Sequence, residues 1–115
     1  MAIEGSIQSV LAATVSGRCY PMVAPDNTDR PYITFQVVSN VPEVSLDGRS
    51  GQSRRLVQVD VWGESYASAK GIEQQVAAAM AAATAFKSIP LMSRDLYEDE
   101  VKIYRVNMEF SVWNI

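Results

Sequence analysis

The chain has 115 residues, a formal net charge of −3, 48% hydrophobic and 20% charged residues. Such a length suits one domain over residues 1–115, and the mix is that of a soluble globular protein rather than a disordered tail. Histidine is absent and Cys19 is the single cysteine, which excludes Ser-His-Asp and Cys-His nucleophiles, histidine metal sites and internal disulfides.

No apolar run approaches the ~20 residues that span a bilayer, so no membrane partner is expected. The stretch Met1-Ala2-Ile3-Glu4-Gly5-Ser6 has neither a basic region nor a long apolar one, and the expectation is cytosolic synthesis without a signal peptide. The pI is near 4.8 and the basic residues are scattered, unlike the basic stripe of a nucleic-acid binder. The pair Arg54-Arg55 reads as solvated or edge-protecting charge at a strand start rather than as a phosphate site.

From the N-terminus, Ile3, Ile7, Val10, Leu11 and Val15 recur at helical spacing and predict a helix over Ile3–Ser16. Gly17 is placed to end it in the left-handed conformation, with Arg18 against the helix C-terminal dipole. Residues 19–31 hold three prolines and a polar cluster, which predicts an extended segment running into a loop. A strand begins near Tyr32, with Ile33, Phe35 and Val37 on one face and Thr34, Gln36 and Asn40 on the other. Val44 and Leu46 alternate just before Asp47-Gly48, a favoured two-residue turn, so residues 41–53 read as a hairpin arm. The return strand, Leu56–Trp62, sends Val57, Val59 and Val61 to the core and Gln58 and Asp60 away from it.

Gly63 breaks that strand, and Ser65 is the expected N-cap of a second helix over Tyr66 to about Ala83. Its stripe is Tyr66, Ala69, Ile72 or Glu73, Val76, Met80 and Ala83. A strand from about Leu91 to Tyr97, an acidic turn at Glu98-Asp99-Glu100 and a final strand over Ile103–Trp113 complete the chain. The last strand alternates cleanly. Tyr104, Val106, Met108, Phe110 and Val112 share one face; Arg105, Asn107, Glu109 and Ser111 share the other.

These elements predict an α+β two-layer sandwich. A mostly antiparallel sheet of about four strands carries two helices on one face and a projecting hairpin arm. The other face collects Gln36, Gln58, Asp60, Arg105, Asn107 and Glu109, with Leu56, Trp62 and Trp113 as apolar islands.

Few residues offer chemistry. Asp60 and Glu109 are the best carboxylate pair, but acid–base work needs a fixed separation in a pocket, and a solvated or interface-lining role outweighs catalysis. Asp95, Glu98, Asp99 and Glu100 lack the glycine and the alternate ligand spacing of a calcium loop, and read as a charged hairpin tip. Cys19 has Arg18 beside it but no histidine base, so core filling is the better reading. No metal or cofactor is expected. On the arm, Val44 and Leu46 are costly to leave in water unless they fold back on the sheet or meet a partner.

Six blocks in order complete the reading. They are Arg18-Cys19-Tyr20-Pro21 with Val23-Ala24-Pro25, Pro31-Tyr32-Ile33-Thr34-Phe35-Gln36, and Pro42-Glu43-Val44-Ser45-Leu46-Asp47-Gly48. Val57-Gln58-Val59-Asp60-Val61-Trp62 before Tyr66-Ala67-Ser68-Ala69, Arg94-Asp95-Leu96-Tyr97-Glu98, and Tyr104-Arg105-Val106 through Phe110-Ser111-Val112-Trp113 follow. In these blocks the chain resembles the phage tail completion proteins, over nearly its whole length.

The resemblance implies a virion structural protein with no catalytic residues. It implies a self-associating ring, usually a hexamer, that caps the tail tube protein and faces the head connector protein, with DNA passing through unbound. It places the protein in the virion tail or neck, and in the host cytoplasm during assembly. On this reading Val44, Leu46, Asp47, Gly48 and Arg49 form an interface arm. Gln36, Gln58, Asp60, Trp62, Arg105, Asn107 and Glu109 line the channel or meet a neighbouring subunit. The alternatives are a head–tail neck adaptor and, from another class, a small-ligand-binding α+β domain or enzyme, which would need a pocket with convergent polar groups.

Overall fold

A computed structural model of the chain describes residues 3–43, 52–99 and 102–114. In chain order the elements are α1 (Ile3–Ala12), β1 (Cys19–Pro21), β2 (Tyr32–Glu43), β3 (Gln52–Gly63), α2 (Tyr66–Ala82), β4 (Phe86–Glu98) and β5 (Ile103–Asn114). They form the expected α+β sandwich, but the sheet has five strands, in the order β1-β2-β3-β5-β4. The added strand is β1, which pairs parallel to β2 with Cys19 opposite Ile33. Two prolines within a few residues disguise it in the sequence, because proline cannot donate to a ladder. Pro21 sits at its last position, where the lost donor costs least.

The other pairings are antiparallel and run further than the hydrophobic alternation predicts. β2 and β3 stay paired from Tyr32↔Trp62 to Glu43↔Gln52, with a bulge between Val37 and Ser39. Backbone hydrogen bonding carries these strands past the end of the apolar pattern. The arm residues Val44, Leu46, Asp47, Gly48 and Arg49 lie outside the described residues. β4 starts at Phe86 rather than Leu91, and a second bulge between Pro90 and Met92 accommodates the proline.

Both helices lie on one face. Ile3, Ile7 and Leu11 of α1 and Ala69, Ile72, Val76 and Met80 of α2 are buried with Ile33, Phe35, Val57, Val59 and Val61. Val106, Met108, Phe110 and Val112 of β5 complete the layer. Regular helix stops at Ala12, earlier than expected. The Thr14 and Val15 amides bond back to Leu11 and Ala12 in tight turns, and the Gly17 amide bonds to the Ala12 carbonyl. Gly17 does take the left-handed conformation, with φ +86, and Ser16 shares it at φ 53. Arg18 is drawn away from the helix end, because its Nε donates to the Pro31 carbonyl at 2.9 Å. Ser65 caps α2 as expected, its side chain accepting from the Ser68 amide.

Candidate functional site

The face of the sheet opposite the helices carries three cross-strand rows. In the first, Gln36, Gln58 and Glu109 lie side by side on β2, β3 and β5. The Gln36 Nε2 donates to Gln58 Oε1 at 3.3 Å, and the Gln58 Nε2 donates to Glu109 Oε1 at 3.5 Å. In the second, Thr34, Asp60 and Asn107 align, and Asn107 Nδ2 donates to Asp60 Oδ1 at 2.8 Å. In the third, Tyr32, Trp62 and Arg105 align. Tyr32 stacks on Trp62 with centroids 5.9 Å apart, and the Arg105 guanidinium sits 5.0 Å from the Trp62 ring. β4 extends the rows with Met92, Arg94 and Leu96.

Bonds between rows tie them together. Trp62 Nε1 donates to Thr34 Oγ1 at 3.0 Å, and Arg105 reaches Asp60 at 3.8 Å and Glu98 at 3.2 Å. Thr34 and Asn107 are buried although both are polar. Asn107 Oδ1 and Arg105 Nε are buried without a partner among the described residues. Strand pleating explains the arrangement. Residues at even positions of β2 and β3 and odd positions of β5 point the same way, so alternation puts the seven expected residues on one face, and the strand order and register make them neighbours. Tyr32 and Thr34 were not among them. Their parity with Gln36 carries the signal, and their roles emerge from the stack on Trp62 and the indole hydrogen bond.

Asp60 and Glu109 do not face each other across the strands. Asp60 lies opposite Asn107 and Glu109 opposite Gln58, so they are diagonal neighbours, at positions about 7–8 Å apart in an antiparallel pair. Each accepts from a neighbouring amide. Among the described residues no three acidic or cysteine side chains gather at metal-binding distance. The rows can form a preorganised polar plate that presents charge and an aromatic stack to whatever lies against it.

A second cluster lies between α2 and β4. Lys70 bridges Glu73 at 2.6 Å and Asp95 at 3.0 Å, and the Tyr66 hydroxyl donates to Asp95 at 2.9 Å. Ser93 donates to Glu73. The hydrogen bonds from Lys70 and then Tyr66 hold the Asp95 carboxyl below its ordinary pKa, while those to Glu73 and then Asp95 push Lys70 up. Asp95 is therefore a strand-to-helix tie and not part of the hairpin tip. The sequence shows the Lys70–Glu73 spacing but not the strand that completes it. Arg55 likewise pairs with Glu4 of α1 at 3.3 Å, which ties helix to sheet. It lies on the central strand and protects no edge.

Residues 7–114 match the family model described as tail completion protein gp17. That span reaches from the first turns of α1 to the end of β5. No curated protein matches the chain by sequence. Among solved structures the chain is similar to one from "Virion of native gene transfer agent (GTA) particle", with a TM-score of 0.70 at 17% identity over 98% of this chain and 97% of that one. At this identity the likeness speaks to the fold, and it spans all seven elements.

Proposed function

The chain belongs to the tail completion protein gp17 family, and from that membership we propose that it closes the end of the phage tail tube as a ring and joins the tail to the head connector. It is a structural protein of the virion tail. The observation that carries the finer reading is the family match over residues 7–114, which takes in both helices and the whole sheet. The plate on the open face is consistent with a wall or a contact surface, because its carboxylates are held by neighbouring amides rather than set around a substrate space.

Charge supports the ring. Six chains at −3 each carry about −18, and an acidic annulus repels the phosphates of passing DNA over about a Debye length instead of binding them. The arm residues Val44 and Leu46 contact an adjacent subunit or the tube protein in this reading. Deleting Val44 to Gly51 is expected to leave a folded protein that no longer caps tails; capping by that variant would remove the arm from the contact.

The direct test is electron microscopy of lysates from a phage or prophage lacking this gene. Overlong or unjoined tails beside filled heads are the expected result. Normal joined particles overturn the proposal. Emptied heads beside tails of normal length indicate a neck adaptor instead.

A further inference from the structure

Among the described residues, most of the exposed large apolar side chains lie on the β4 edge or just beyond β1. On the β4 edge Ile89 is 50% exposed, Leu91 53% and Met92 40%. Beyond β1, at the opposite edge, Met22 is 65% and Val23 77% exposed. Met22 is held outward in a left-handed conformation, φ 67, with its amide bonded to the Phe35 carbonyl. Apolar side chains displayed this way at two opposite edges offer surface that a partner could cover.

Exposed charges of opposite sign flank the two patches, while Glu73 and Asp95 beside β4 are bridged by Lys70 and Arg30 after Asp29 is half-buried. Lys87 and Arg94 flank the β4 patch and are exposed; Asp26 and Asp29 lie in the return loop after Val23 and are exposed. None of the four forms an ion pair among the described residues, whereas Arg55, Lys70 and Arg105 all do. A shallow groove of about 340 Å³ runs between α2 and β4, floored by Met108 and Phe110 and rimmed by Leu91 and Met92. It offers a largely apolar seat along β4, with Glu73 in its lining.

We infer that the β4 edge of one copy of this chain docks against the Met22-Val23 corner of the next, with Lys87 and Arg94 facing Asp26 and Asp29. Two different patches on one chain make a head-to-tail contact, the kind that closes into a ring. The contact is made through side chains and does not extend the sheet from copy to copy. Pro90 and the bulge before Met92 interrupt the free edge of β4. On the other side Gln8 Nε2 already donates to the Cys19 carbonyl, and the Val23 amide bonds to the Pro21 carbonyl. This inference rests on the ring reading above and names the surfaces that build the ring.

The test is complementation of a phage lacking the gene, with four versions of the chain. Lys87→Glu with Arg94→Glu reverses one patch, and Asp26→Lys with Asp29→Lys reverses the other. Each pair alone sets like charges against each other and is expected to lower infective particles by about a hundredfold or more. A chain carrying all four substitutions restores opposite signs and is expected to recover them. Co-expression of the two double variants is expected to recover them as well, since each then offers the other a complementary edge. All variants should melt with the wild type, the substituted residues being exposed. Full activity of either double variant overturns the inference. So does failure of the fourfold chain while the wild type complements, the result expected if these patches meet the tube or the connector. Normal particles without any gene product overturn the functional reading itself, a different result.

Discussion

Cys19 is 2% exposed and lies in the core cluster beside Ile7, Leu11 and Ile33. Burial pushes its thiol up to about 12, from an ordinary 9.0. Its neighbour Arg18 offers no activation, since the guanidinium is turned to Pro31. The folded protein should therefore resist thiol reagents at pH 8 and react only on unfolding; labelling at the rate of a free thiol would refute this. The linkage has a definite sign. Above about pH 9 the unfolded chain loses the proton while the folded chain keeps it, so stability falls as pH rises from 9 toward 12. Gly63 carries a different constraint. A Cβ there would lie 2.9 Å from Ala69 Cβ and 3.0 Å from the Ala69 amide nitrogen. Part of that obstacle is helix backbone and cannot rotate away. Gly63→Ala should cost about 1–3 kcal/mol, read as a lowered melting temperature. In sequence the glycine reads as a strand breaker, yet it still pairs with Tyr104 at the end of β3. Its purpose is the close approach of α2, which a one-dimensional pattern does not display.

Among the elements, α2 was the most legible. A serine before a run of helix formers marks its start, and the apolar spacing marks its buried face. Ala69, Ile72, Val76 and Met80 are buried as expected, while Tyr66, at the predicted head of the stripe, stays exposed and bonds to Asp95. Ser65→Ala should remove the capping acceptor and cost about 1 kcal/mol, measured by denaturant unfolding, with Ser65→Asp retaining most of it. β5 was nearly as legible, because apolar and polar residues alternate from Tyr104 to Val112 and the apolar set from Val106 to Val112 is buried. β4 was legible only in part. On an edge strand the alternation weakens, so the sequence predicts only the part from about Leu91 to Tyr97. β1 was legible only as extended chain, since three residues are too few to show a period or to name a pairing partner.

At the scale of the whole molecule, the open face should govern assembly rather than folding. Asp60→Asn keeps an acceptor for Asn107, and Glu109 only accepts a long bond from Gln58, so Asp60→Asn with Glu109→Lys should fold with a melting temperature near that of the wild type. It is expected to lower the yield of joined, infective particles. Unchanged particles and titre would exclude both the channel and the subunit role for this face. The Tyr32–Trp62–Arg105 stack and the Lys70 ties use the same logic of cross-element contact, but they hold strands and helix together within one chain.

What the sequence determined by itself is whatever a period can express. It set the fold class, the buried face of each long element and the membership of the open face, because side-chain direction follows from backbone geometry two or four residues at a time. What only the tertiary structure decided is which elements become neighbours. The parallel pairing of β1, the central place of β3, the tie from Asp95 to α2 and the two apolar edges all join residues far apart in the chain. Such contacts depend on how the whole sheet closes over its helices, and local spacing holds no record of that.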